Sequence, residues 1–181
     1  MDYPYSLEDY LDSVKEYMYK HNLVRPHVIA HSFGARIAIL GASLDQNLFG
    51  KIVLTGAAGL KPKFSIKKTV KKTLYKTLKK VVTAERLKGF YSKDYQSLSP
   101  TMQKSFIKIV NHHLDDRLKY VKNQTLIIHG KKDTQTPPYM AKRLNLGIKN
   151  SKLVFLEKAG HFAFIDCPIK FNWEVKEFLL Q

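Results

Sequence analysis

Four short apolar runs, without the polar alternation of a half-exposed strand, stand out along the chain. They are HVIA at 27–30, KIVLTG at 51–56, QTLIIHG at 124–130 and KLVFLE at 152–157. Runs of Val, Ile and Leu that are apolar on both faces are typical of strands buried in a parallel sheet. We therefore predict a strand at each of these positions.

The segments around these runs repeat their apolar residues at helical spacing instead. Residues 6–23 form the clearest amphipathic pattern, with Ser6 as a candidate N-cap and acidic residues in the first turn. The run at 34–44 is small and apolar enough to pack closely against a sheet, and helices are also predicted at 137–148 and 169–181. Strands that alternate with helices predict an α/β fold, a mostly parallel sheet with flanking helices.

Residues 61–120 interrupt this alternation, because they show helical periodicity and no strand pattern. Within 61–80 there are nine lysines and no acidic residue, beside an apolar stripe at helical spacing. We predict that residues 61–120 form a helical cap, or lid, inserted into a core that comprises residues 1–60 and 121–181.

Composition and charge narrow the classes of protein that this chain can represent. With 181 residues, 44% of them hydrophobic, the chain is long enough for one real core, and no apolar run approaches the ~20 residues of a membrane span. Cys167 is the single cysteine, which excludes an internal disulfide and favours a reducing, cytoplasmic location. The net charge of +16 raises nucleic acid as a partner, but lysine rather than arginine supplies most of it, so nucleic-acid binding is not predicted.

The first predicted strand leads directly into Ala30-His31-Ser32-Phe33-Gly34, and a helical pattern follows. A serine between small residues on a sharp strand-to-helix turn has the arrangement of a nucleophile elbow, which projects the serine oxygen above the sheet. The backbone N–H of Phe33 then points to the same place and can stabilise a developing oxyanion. Because such a short motif also arises by chance, its weight depends on a base and an acid elsewhere in the chain.

A serine hydroxyl is a weak nucleophile unless a histidine takes its proton and an acid orients that histidine. Asp133 follows the third predicted strand, and His161 lies in the loop after the fourth. The carboxyl ends of parallel strands meet at one edge of a sheet, so Ser32, Asp133 and His161 should converge there. Asp166 is the second candidate for the orienting acid.

With these three motifs the chain resembles the α/β-hydrolase superfamily, in its capped form with a serine nucleophile. AHSFG, HGKKDTQTPP and AGHFAFIDCP correspond to the nucleophile, acid and histidine motifs of that family. The resemblance implies Ser32 as nucleophile, His161 as general base, Asp133 as orienting acid and Phe33 as one oxyanion-hole amide. It also implies that the first strands of the family, with the loop that supplies the second oxyanion donor, have no counterpart here. The first strand would then be an exposed sheet edge.

Other side chains are candidates for the substrate pocket or for the core. The substrate-binding candidates are His31, Phe90, Tyr91 and Phe162, with Phe64 and Tyr75 as further aromatic residues of the cap. Four histidines other than His161 have a structural interpretation, as packed residues or as solvated residues of the cap: His31, His129, His112 and His113. No group of Cys, His and acidic residues has metal-ligand spacing, so neither a metal nor a cofactor is predicted.

These features predict an enzyme that cleaves a small or medium carboxylic ester, or a related acyl substrate, through an acyl-serine intermediate. Thioester, amide and carbon–carbon bond substrates stay open, because the triad is common to all of them. One alternative is a catalytically incomplete fragment that acts as a binding protein, with a pairing partner at the exposed sheet edge. The other, less favoured, is a lipase-like enzyme whose basic helix at 61–80 docks on an anionic membrane surface.

Overall fold

A computed structural model describes residues 3–63 and 97–181 of the chain. Within these ranges one sheet contains four strands in the order β1-β2-β3-β4, and each neighbouring pair is parallel. The strands are β1 (Val28–His31), β2 (Ile52–Thr55), β3 (Thr125–Gly130) and β4 (Ser151–Leu156). Every strand lies within one residue of its predicted bounds, and the predicted parallel α/β fold is confirmed.

Helices precede, connect and follow the strands. They are α1 (Leu7–Lys20), α2 (Phe33–Leu44), α3 (Pro100–Val110), α4 (Pro138–Gly147), α5 (Ala163–Asp166) and α6 (Pro168–Leu180), with a 3₁₀ helix at Asp115–Tyr120. α3 begins where the Ser99 side chain accepts the N–H of Met102 and Pro100 occupies the first turn. None of the helices in the described ranges is both long and apolar enough to cross a bilayer.

The two faces of the sheet carry two separate apolar clusters, which explains why the strands read as continuous apolar runs. The buried strand residues that pack with α1, α2, α4 and the 3₁₀ helix are Ala30, Ile52, Leu54 and Ile127. Those that pack with α5 and α6 on the other face are Val53, Leu126, Ile128 and Leu156. In the described sheet β1 pairs with β2 alone, and as an edge strand it leaves the Ile29 side chain 56% exposed.

The chain divides into two compact units. The smaller comprises residues 1–6 and 62–111 and contains α3, where the Ser105 hydroxyl accepts the N–H of Tyr5. The larger comprises residues 7–61 and 112–181 and contains all four strands of the sheet. Residues 64–96, which include most of the predicted basic helix, lie outside the described residues. The division into a helical cap at 61–120 and a core at 1–60 and 121–181 stays a prediction.

Candidate active site

Ser32 occupies a strained turn between β1 and α2. Its φ of 49° and ψ of −108° lie outside the regions that residues with a side chain favour, and such strain costs on the order of 1–3 kcal/mol. The surrounding backbone holds it there, because the Ser32 N–H donates to the Thr55 carbonyl at 3.1 Å and the Ser32 carbonyl accepts the Ala58 N–H at 3.2 Å. Its side chain makes no capping hydrogen bond to α2, so the hydroxyl is free for another partner.

That partner is His161. The Oγ atom of Ser32 lies 3.1 Å from Nε2 of His161, and Nδ1 of the same ring lies 2.9 Å from Oδ2 of Asp133. An ionised carboxylate only accepts hydrogen bonds, so Nδ1–H donates to Asp133 and Nε2 is left to accept the Ser32 hydroxyl proton. The structure brings the three residues together in one hydrogen-bonded chain.

The carboxylate of Asp133 lies in a turn that surrounds it with donors. The N–H groups of Gln135 and Thr136 donate to Oδ1 at 2.8 and 2.9 Å, and the Thr136 hydroxyl donates to Oδ2 at 2.7 Å. Burial raises the pKa of this carboxyl group, but the hydrogen bonds from His161 and Thr136 outweigh burial and hold the pKa below its ordinary value. Asp133 is therefore a buried anion at neutral pH, and only 3% of it is exposed.

Contacts from two other strand ends hold the loop that carries His161. Nε2–H of His31 donates to the carbonyl oxygen of His161 at 3.1 Å, and the two imidazole rings lie 4.7 Å apart. Gly56 follows β2 with a φ of 50°, and a Cβ atom there would lie 2.8 Å from the His161 carbonyl oxygen and 3.1 Å from its ring. Both the backbone conformation and the lack of space therefore require glycine at this position.

Sequence reasoning missed Gly56, for which the one available signal was a Thr-Gly pair at the end of the second strand. It also treated His31 as a core residue or a substrate contact. The structure places the His31 ring against three aromatic neighbours, His161, Phe162 and Phe164. A role of His31 in substrate binding stays a prediction.

Two partly exposed aromatic residues flank the hydrogen-bonded chain. Phe33 is 37% exposed and is the first residue of α2, where a backbone N–H has no acceptor within the helix. Phe162 is 45% exposed, and its ring lies 5.2 Å from that of His161. The other aromatic candidates, Phe64, Tyr75, Phe90 and Tyr91, lie outside the described residues.

The remaining candidates contact other parts of the larger unit. Asp166 is exposed and accepts the Gly160 N–H at 2.7 Å, so it supports the histidine loop from the solvent side. His112 and His113 are half-buried rather than solvated, and the His112 carbonyl accepts from the Arg36 guanidinium at 2.7 Å. Within residues 3–63 and 97–181, no three His, Cys, Asp or Glu side chains are placed to hold a metal ion.

Comparison with known sequences finds similarity along almost the whole chain. A family model described as TAP-like protein matches residues 108–181, the segment that contains Asp133 and His161. The AB hydrolase superfamily protein YisY of Bacillus subtilis strain 168 is 28% identical over an alignment of 204 residues. The alignment covers 96% of this chain and 74% of YisY.

Solved structures show the same architecture. The meta-cleavage product hydrolase CumD from Pseudomonas fluorescens IP01 superposes with a TM-score of 0.71 at 24% identity, over 98% of this chain and 73% of CumD. The esterase EaEST from Exiguobacterium antarcticum superposes with a TM-score of 0.73 at 21% identity, over 97% of this chain and 74% of EaEST. At these identities the structural likeness establishes the fold.

Proposed function

The chain belongs to the α/β-hydrolase superfamily of enzymes, and from this premise we propose that it is a serine hydrolase of small or medium carboxylic esters. The observation that carries the proposal is the continuous hydrogen-bonded chain from Ser32 through His161 to Asp133. A serine with a purely structural role at this position would cap α2. Here its oxygen is directed at an imidazole nitrogen instead, and the backbone is strained to place it there.

In the first half-reaction Ser32 Oγ attacks the ester carbonyl carbon while His161 Nε2 takes the hydroxyl proton. The bond from the carbonyl carbon to the alcohol oxygen then breaks, and the imidazolium returns the proton to that oxygen. An alcohol leaves and an acyl-Ser32 ester remains. Between the two proton transfers the imidazolium lies 2.9 Å from the Asp133 carboxylate, which stabilises its charge and fixes its tautomer.

In the second half-reaction a water molecule replaces the alcohol. His161 takes one proton from this water as the oxygen attacks the acyl carbon, and the proton then returns to Ser32 Oγ as the carboxylic acid leaves. Each half-reaction passes through an oxyanion beside the first turn of α2. We assign the Phe33 N–H as one donor to that oxyanion, a contribution of about 3–4 kcal/mol to the transition state, helped by the positive end of the helix dipole.

Covalent labelling with a fluorophosphonate probe, followed by intact-mass measurement, tests the proposal. We expect one adduct on the native chain and none on Ser32→Ala or His161→Ala. Ser43→Ala is the matched control and should label like the native chain, because Ser43 lies on α2, the helix that follows Ser32, and its hydroxyl donates to the Leu40 carbonyl. A panel of p-nitrophenyl esters from acetate to octanoate then defines the preferred acyl length. A folded native chain without an adduct, or an adduct that survives in Ser32→Ala, would contradict the proposal.

A further inference from the structure

A second imidazole lies against the Asp133 carboxylate. His129 belongs to β3 and is fully buried, and its Nε2 atom lies 3.6 Å from Oδ2 of Asp133. Its closer partner is the carbonyl oxygen of Thr136, at 2.7 Å from Nε2. A carbonyl oxygen only accepts hydrogen bonds, so Nε2 carries the proton and Nδ1 carries none in the neutral ring.

The surroundings of His129 keep its ring neutral. Nδ1 is buried and has no hydrogen-bond partner among the described residues, so a proton there would be left without an acceptor. Burial is the largest influence and lowers the pKa of His129, against the raising effects of the Thr136 carbonyl and the Asp133 charge. The other titratable group that acts on it is His161, and the Phe155 ring packs edge-on at 6.2 Å.

We propose that His129 is a positioning residue of the triad, which acts through the turn at 133–136. Thr136 supplies two donors to the Asp133 carboxylate, one to each oxygen, while its own carbonyl is held by His129. His129 thereby fixes the rotation of the carboxylate, and the carboxylate in turn fixes the direction of the His161 Nδ1–H bond. This inference rests on the proposed function.

A residue that only filled space at this position would not need to be polar. An unpartnered buried nitrogen costs about 1–3 kcal/mol, and a leucine or phenylalanine would avoid that cost. In His129 the Nδ1 atom is unpartnered among the described residues, and the ring makes one hydrogen bond there, from Nε2–H to the Thr136 carbonyl in the turn that holds Asp133. That bond is the feature of His129 that an apolar side chain could not replace.

The test compares two polar variants that differ in reach. The amide nitrogen of His129→Gln lies near the position of Nε2 and can still donate to Thr136, whereas that of His129→Asn lies near Nδ1 and falls short. For ester hydrolysis we expect kcat of His129→Asn to fall about 10–100-fold, with KM little changed. This is the loss typical of residues that orient the ligands of a catalytic metal. The acid limb of its kcat/KM profile should move to lower pH, because a misaligned Asp133 stabilises the His161 imidazolium less. His129→Gln should retain most of kcat and the native acid limb.

Melting temperatures of both variants separate positioning from folding. Equal kcat and equal pH profiles in the two variants would overturn the inference, and so would a loss of kcat that only follows the folded fraction. If His129→Asn does not fold, His129→Leu takes its place with the same expected result. Failure of the native chain to label at Ser32 would overturn the proposed function itself, whereas labelling with indistinguishable variants would overturn only the role of His129.

Discussion

The nucleophile turn at 30–34 and the histidine loop at 157–162 meet at two hydrogen bonds, from Ser32 Oγ to His161 Nε2 and from His31 Nε2–H to the His161 carbonyl, but are held in place differently. The turn consists of a strand end, one strained residue and a helix start, and among residues 3–63 and 97–181 a Cβ atom on Gly34 would meet only the Ala30 side chain, at 3.9 Å. The loop is crowded by residues distant in sequence. A Cβ atom on Gly56 would press on His161, and one on Gly130 would overlap the carbonyl oxygens of Ala159 and Gly160.

This difference shows where the site tolerates change. The strain at Ser32 is local, and among the described residues space for at least one carbon atom remains beside it at Gly34. The position of His161 depends instead on close approach between three strand ends. A change of one carbon atom at the end of β2 should therefore cost more activity than the same change inside the nucleophile turn.

The largest expected effect comes from the acid that orients the histidine. Asp133→Asn should lower kcat about 10,000-fold with KM nearly unchanged, because the amide stabilises the wrong tautomer of His161 and no imidazolium charge. Asp166 is the second candidate for the orienting acid. The kcat of Asp166→Asn should stay within a few-fold of the native value. Steady-state ester hydrolysis measures both. A larger loss in Asp166→Asn would make Asp166 the orienting acid and would break the assignment.

A pair of glycine variants tests the comparison directly. Gly56→Ala should lower kcat about 100-fold, the cost of displacing a catalytic group by about 1 Å, because its Cβ atom would press on the His161 carbonyl and ring. Gly34→Ala adds the same atom where space exists, at a helix position that favours alanine over glycine by roughly 1 kcal/mol. Its kcat should stay within a few-fold of the native value. Steady-state ester hydrolysis, corrected for the folded fraction, gives kcat of both variants, and a greater loss in Gly34→Ala would reverse the comparison.

The same contrast explains how much the sequence could predict. Strand positions follow from apolar runs, and Ser32, Asp133 and His161 could be singled out because each follows a predicted strand and parallel strands end at one edge. His129 and Gly56 could not be assigned to the site, because their contacts join residues brought together only by folding. A buried histidine inside a strand looks like core packing until the carbonyl that it bonds, Thr136, is known.

The smallest expected effect concerns stability in acid. Burial lowers the pKa of three histidines of the larger unit, His31, His113 and His129. An unfolded histidine titrates near pH ~6.5 and an unfolded aspartate near ~3.9. At these three histidines the unfolded chain therefore binds more protons than the folded chain below pH ~6.5, so their contribution to the free energy of unfolding should fall as the pH falls from there. Asp133, whose pKa is also lowered, adds a further loss below pH ~4.

Urea unfolding at pH 5, 6 and 7 measures this dependence, and His129→Gln should weaken it because one buried group no longer titrates. His21→Gln, a change at an exposed histidine after α1, is the control and should leave the dependence as it is. If the free energy of unfolding depended on pH equally in the two variants, protonation of His129 would not be a cause of the loss of stability in acid. If only His129→Gln flattened the slope, the residue that holds the Asp133 turn would also be one that limits stability in acid.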